Sequence, residues 1–149
     1  MRRGGNVLLP VDTAGRVLEL LLCLEHHWKK HQDSYPLVLL QNVGFSVLEF
    51  AKSMIEYMDG DISNKFNIDR VNPFDFNKVR ICQSLAELHA VPSPKIVLAT
   101  PCALDYGFSN QLFSEWVANP LNMVIVTSRS APGKMWCGSM GGWALLRFH

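Results

Sequence analysis

Short apolar runs, each set off by polar or turn residues and each separated from the next by a longer segment, constrain this chain more than any other feature. They are Asn6–Val11, Leu37–Leu40, Lys95–Thr100 and Asn122–Thr127, with Lys78–Cys82 as a fifth segment of similar length. Runs this short cannot make a useful helix, and unbroken apolar character suits a strand covered on both faces. Between Asn6–Val11 and Leu37–Leu40, residues Val17, Leu20, Leu21, Leu24 and Trp28 recur at helical spacing, with Leu18 and Leu22 widening the stripe. A stripe that wide predicts a helix from Gly15 to about Lys30, covered on more than one side. Strands alternating with helices are βαβ units. The expected fold is therefore three-layered α/β, a mostly parallel sheet flanked by helices in the Rossmann-like manner.

Helix boundaries follow from capping chemistry. Ser46-Val-Leu-Glu49 has capping-box spacing and is flanked by Phe45 and Phe50 as a hydrophobic staple, which predicts a helix running to about Met58. Ile62–Phe66 reads as a further turn, and Val71-Asn-Pro73 opens a loop anchored by Phe74 and Phe76. Leu85–His89 reads as one helical turn stopped by Pro92 and Pro94. Ser109 is the expected cap of a helix through Val117, with Phe108 and Phe113 as a second staple and Asn119-Pro120 closing it.

Composition narrows the function classes. A chain of 149 residues, 48% hydrophobic, is one domain's worth and should bury roughly 70% of its unfolded surface without disulfide or metal support. Fourteen basic against thirteen acidic side chains leave a net charge of +1, which argues against a free-standing basic nucleic-acid binder. Any contact with nucleic acid must be local. Residues 1–75 carry 8 basic and 10 acidic groups and residues 76–149 carry 6 and 3, so neither half forms a charged tail. No run approaches the ~18 uninterrupted apolar residues of a membrane span. No apolar segment with a cleavage site follows the basic Met1-Arg-Arg3, so no secretory signal is expected. Cys23, Cys82, Cys102 and Cys137 show no CxxC and are expected to be buried thiols in a reducing compartment.

In an open α/β sheet, ligands bind beyond the carboxyl ends of the strands. Those ends are Asp12-Thr13, Gln41-Asn42, Pro101-Cys102 and Ser128-Arg129. Thr13 to Gly15 opens a helix whose free N–H groups suit an anion, with Arg16 adjacent. The plainer account has Thr13 as a cap and Arg16 paired with Glu19 or solvent. Neither GxGxxG nor a P-loop occurs, since Gly4-Gly5 precedes its strand and Gly138–Gly142 follows the last one. Gly44-Phe-Ser46 begins like a nucleophile elbow but lacks the closing glycine. His27 and His31 have the i, i+4 spacing of a metal pair but no third ligand, and Lys29 and Lys30 beside them make a basic helix end the simpler account.

Several separated blocks agree, in order, with one family. Gly5–Leu20, Asn72–Phe76 and Ser93–Thr100 resemble the β-CASP domain of metallo-β-lactamase-fold RNA-processing proteins. Val47–Ser53, Gly107-Phe-Ser109 with Leu112-Phe113 and Trp116, and Thr127–Gly133 look like the catalytically degenerate, subunit-2 branch of the cleavage and polyadenylation specificity factors. Asp12-Thr-Ala-Gly-Arg16 favours that branch over its catalytic sister. The resemblance covers residues 5–133. Residues 134–149 have no counterpart in it and are expected to be a divergent tail, as of a truncated or alternative end.

The family inserts this domain in a lactamase domain that supplies an HxHxDH metal motif, absent here. The resemblance therefore implies a non-catalytic module with no metal, no cofactor and no catalytic residue. It also implies a place in the nucleus, in the mRNA 3′-end cleavage and polyadenylation complex, partnered by the catalytic nuclease subunit, other subunits and pre-mRNA, and no membrane. The carboxyl edge would face the RNA cleft, making Thr13, Gly15, Arg16 and Arg129 the expected RNA or phosphate contacts. Two alternatives stay open: a metal-dependent endoribonuclease fragment, and a Rossmann-like nucleotide or anion binder using Thr13 to Arg16.

Overall fold

The computed structural model describes residues 4–31, 35–57, 72–127 and the strand 144–147. In chain order the elements are β1 Val7–Pro10, α1 Arg16–His31, β2 Leu37–Leu40, α2 Gly44–Ser53, β3 Val79–Cys82, α3 Leu85–His89, β4 Ile96–Ala99, α4 Gly107–Trp116, β5 Met123–Val126 and β6 Ala144–Arg147, with a 3-10 turn at Ile55–Tyr57. One sheet has the order β3-β2-β4-β1-β5-β6. The first five strands pair in parallel, and β6 pairs antiparallel with β5. The expected three-layer α/β arrangement is present. β6 was not expected: it lies in the segment beyond Gly133 and lines up Ala144 to Leu146 opposite Val126 to Val124.

Strand pleating divides the core in two. Leu8, Val38, Leu40, Val97 and Ala99 point to one face, where Leu88, Leu104, Leu112 and Trp116 cover them. Val7, Leu9, Leu37, Leu39, Ile96 and Leu98 point to the other, beneath Val17, Leu21, Trp28 and Leu48. Hence α1 and α2 lie on one face, α3 and α4 on the opposite one. The steps β1 to β2 and β2 to β3 run one way along the sheet and use α1 and α2; the steps β3 to β4 and β4 to β5 run back and use α3 and α4. Crossovers of a single hand require this coupling of direction to face. The reversal falls between the adjacent strands β1 and β4.

Helix α1 buries Val17, Leu21, Glu25 and Trp28, and Leu18, Leu20 and Leu24 are only partly covered. One face, not two, carries its packing. Glu25 occupies that face because its Oε1 accepts from the Asn77 N–H at 3.3 Å and lies 3.5 Å from Lys29 Nζ, tying the Phe74 loop to the helix. Phe74 is buried and meets Phe76 edge to face at 6.2 Å, as anchors should.

Two expected caps are corrected. Helix α2 starts at Gly44 with Val43 in the cap position and no side-chain cap, which places Ser46 inside the first turn. Phe45 and Phe50 are 58% and 63% exposed, so they make no staple. The helix begins early because Gly44 N–H donates to Gln41 O and the turn out of β2 runs straight into it. The second helix also ends before Met58, at Ser53. Helix α4 starts at Gly107, whose φ of +72° only glycine holds cheaply. Its cap position is Tyr106, again without a side-chain bond. Ser109 is fully buried and donates from Oγ to Pro101 O at 2.6 Å, pinning the helix to the end of β4. Phe108 and Phe113 pack on the core. The one serine that caps through its side chain in the described helices with a defined cap is Ser84, whose Oγ accepts from Glu87 N–H while Glu87 Oε2 accepts from Gln83 N–H.

The thiols also differ from expectation: Cys82 is buried, Cys102 half-buried and Cys23 exposed. Cys137 and the Ile62–Phe66 turn lie outside the described residues. Burial pushes the Cys82 thiol pKa up.

Candidate functional site

Three helices leave the carboxyl edge beside the switch between β1 and β4, and a cavity of about 440 Å³ opens there. Thr13 comes from the end of β1, Gln41, Asn42 and Val43 from the end of β2, and Thr100 and Pro101 from the end of β4. Tyr106, Gly107, Phe108 and Gln111 complete the lining from the start of α4. Three of the four expected strand ends thus line the cavity. The fourth, Ser128-Arg129, lies outside the described residues.

Among the described residues the lining contains no Lys, Arg, Asp, Glu or His. Its polar groups are three amides and two threonines, beside the aromatic rings of Tyr106 and Phe108. Gln41 is 1% exposed, and its Nε2 donates to Thr13 O at 3.0 Å, which joins the ends of β1 and β2. Its Oε1 is buried and has no partner among the described residues. Leaving a buried amide oxygen unpaired costs about 1–3 kcal/mol, a cost natural cores seldom carry without a reason. Tyr106 is 68% exposed at the rim. Pro101 and the backbone of Thr100 crowd Gly107: a Cβ there would meet Pro101 Cδ at 2.9 Å.

The predicted contact residues are partly brought together. Thr13 lines the cavity, and its carbonyl is held by Gln41. Gly15 takes φ +71° and turns the chain into α1. Arg16 does not line the cavity; its Nη1 donates to Thr127 O at 2.6 Å, bridging α1 to the end of β5. Arg129 lies outside the described residues. Sequence reasoning missed Tyr106, Phe108 and Gln111. A signal existed in Gly107 just after a strand and loop, which marks a backbone approaching its neighbour closely. Among the described residues no three His, Cys, Asp or Glu side chains cluster as metal ligands. His27 instead stacks edge-on against Trp28. Among the described residues no helix is long and apolar enough to cross a membrane.

The Beta-Casp domain family model matches residues 17–135, spanning α1 through β5 and so the whole cavity wall except the turn after β1. The chain belongs to the Beta-Casp domain family. Within it, the chain is 45% identical over 139 residues to the probable cleavage and polyadenylation specificity factor subunit 2 of Drosophila melanogaster, covering 91% of this chain and 18% of that protein. It is 44% identical over 133 residues to the subunit 2 of Arabidopsis thaliana, covering 89% and 18%. Saccharomyces cerevisiae Endoribonuclease YSH1 is 31% identical over 138 residues, with the same 89% and 18% coverage. The Beta-Casp chain thus spans about a fifth of the length of the curated relatives it matches.

Proposed function

We propose that this Beta-Casp chain is a non-catalytic module of the nuclear mRNA 3′-end cleavage and polyadenylation complex, a scaffold that contacts RNA beside the catalytic nuclease subunit. The observation that carries this reading is the gradient of identity, 45% and 44% to relatives named for the polyadenylation factor's subunit 2 against 31% to one named as an endoribonuclease. Residues 5–133 form the Beta-Casp unit of this reading and residues 134–149 an appended segment. Its expected partners are the catalytic nuclease subunit and the other subunits of the complex.

RNA contact is assigned to the carboxyl edge. Arg16 spends one N–H on Thr127 O, and a guanidinium carries five, so it can hold a phosphate without giving up that bond. Thr13 and Gly15 shape the turn beside it, and Arg129 follows β5. Two such phosphate contacts give weak affinity with a salt slope of about −0.7 per contact for single strands. Replacing Arg16 and Arg129 by Gln together should weaken RNA binding uniformly across sequences and flatten the slope. A folded double variant with unchanged affinity and slope would remove these residues from the site. Co-purification with the catalytic subunit tests the scaffold role. Chelator-sensitive cleavage of single-stranded RNA that survives repurification would overturn the non-catalytic reading in favour of an endoribonuclease.

A further inference from the structure

The two flanks of the sheet are not protected alike. β3 closes one flank as Val79-Arg-Ile-Cys82, with Lys78 just before it, and both Lys78 and Arg80 are exposed. Charge on an outer strand discourages pairing with another chain. β5, towards the other flank, reads Met123-Val-Ile-Val126 between Asn122 and Thr127. That window has no charge, no proline and no glycine, and Val124, Ile125, Val126 and Thr127 are all β-branched. This is the composition of a segment that pairs with copies of itself. What covers it is β6. Residues 144–147 lie beyond residue 135, where the family match ends, and they pair with all four residues of β5. β1, on the other side, is in register only with Met123 and Val124. Among the described residues, Ile125 and Val126 therefore have their ladder partners in β6 alone. An antiparallel strand needs no crossover helix, so a short appended segment can supply it.

We infer that the outer flank of β5 is a strand-docking surface which residues 144–147 occupy in cis, and which, once uncovered, takes β5 of a second copy of this chain. The second copy fits for two reasons. β6 shows that the flank accepts an antiparallel strand, and antiparallel pairing of one strand with its own copy is what a twofold axis generates. With no charge between Asn122 and Thr127, two copies also meet without like charges opposed. The appended segment thus keeps the chain to itself. This surface does not depend on RNA contact.

The test is the mass of the full chain in solution, by light scattering after size exclusion, beside a variant carrying Leu145→Pro and Leu146→Pro. Successive N–H groups of a strand point to opposite sides, so one of these two faces β5, and proline removes it. The parent should run at 16.8 kDa and the folded variant at about twice that mass. A synthetic peptide of residues 143–149 should return the variant to the parent's mass by refilling the flank. A folded variant that stays at the parent's mass overturns the inference. So does a parent that is already a dimer, or an association that the peptide does not reverse. If the variant gives no cooperative urea transition, hydrogen exchange in the unaltered chain decides alone. Amides of residues 144–147 should exchange at least about tenfold more slowly than in the unfolded chain, and unprotected ones mean that the flank is not covered.

Discussion

The two edges of the sheet are finished differently. At the amino edge a connected network of buried polar side chains ties the strand starts together, with Glu25 Oε2 the buried oxygen there that has no partner among the described residues. Asn122 Nδ2 donates to Trp116 O, and its Oδ1 accepts from Asn6 N–H at 2.8 Å. Asn6 Oδ1 in turn accepts from Lys95 N–H, while Lys95 Nζ donates to Leu88 O and Val91 O at the end of α3. Gly5 packs so tightly on the backbone of Leu121 that a Cβ has no space. At the carboxyl edge α2 and α4 begin without side-chain caps, Gln41 keeps an unmatched oxygen, and a cavity stands open. Among the described residues each edge keeps one unmatched buried oxygen, but the amino edge is closed by its hydrogen-bond network while the carboxyl edge keeps an open cavity, the division expected when binding occupies the second.

The tight packing of the amino edge is most exposed to substitution at Gly5. Gly5→Ala places a methyl 1.7 Å from Leu121 O, backbone that cannot swing aside, and should cost about 3 kcal/mol or more in urea denaturation. A loss below about 1 kcal/mol would show that the amino edge is looser than its contacts imply. Asn122→Ala should follow, at about 2 kcal/mol, because Asn6 N–H and Trp116 O are both stranded.

Within the carboxyl edge itself a sharper contrast is available, since α3 is capped there and α2 is not. Ser84→Ala should lose about 1 kcal/mol through its bond to Glu87 N–H. Ser46→Ala, inside α2, should move stability by less than about 0.5 kcal/mol. Equal losses at the two serines would return Ser46 to the cap position. At the cavity, Tyr106→Ala should also stay within about 0.5 kcal/mol, because an exposed rim residue contributes little to folding.

The smallest effect concerns pH. Burial lowers the Lys95 pKa from its ordinary 10.5, so between the folded value and 10.5 the unfolded chain binds more protons and this group makes stability rise with pH. Cys82, raised above 9.0, acts in the opposite sense as pH climbs past 9.0. Lys95 and Cys82 also act on each other, so the lysine is isolated by taking Cys82→Ala as the parent and comparing it with Cys82→Ala carrying Lys95→Met. That difference should shift in favour of the parent as pH approaches 10.5, and a flat difference would show that the ammonium is not held in a desolvated site.

What the sequence disclosed depended on how local the cause was. Leu37–Leu40 is legible to the residue because an unbroken apolar run has few other uses. Ser46 and Ser84 show the limit of local reading. Both precede a glutamate by three, yet only Ser84 caps, because α2 starts three residues earlier, at Gly44, with Val43 in the cap position, while α3 starts at Leu85. For the site, Thr13, Gln41, Asn42 and Pro101 were reachable from strand ends, a rule of topology. Tyr106, Phe108 and Gln111 were not, since they reach the cavity only through the fold of the loop after β4. Arg16 stands out by its charge beside a helix start, but its tie to Thr127 O depends on β5, far along the chain.

The strand order also sets a schedule for a chain emerging from the ribosome. Val7 of β1 pairs with Ile96 and Met123, so neither neighbour exists until most of the domain has been translated. β2 waits likewise for Val79 and Ile96. The nascent protein must carry its two most apolar segments unpaired through that interval, and closing loops of such length is slow. Release before Ile96 would leave Leu8, Leu9 and Leu37–Leu40 exposed to other chains, so premature termination in this domain should yield aggregates and not smaller folded pieces.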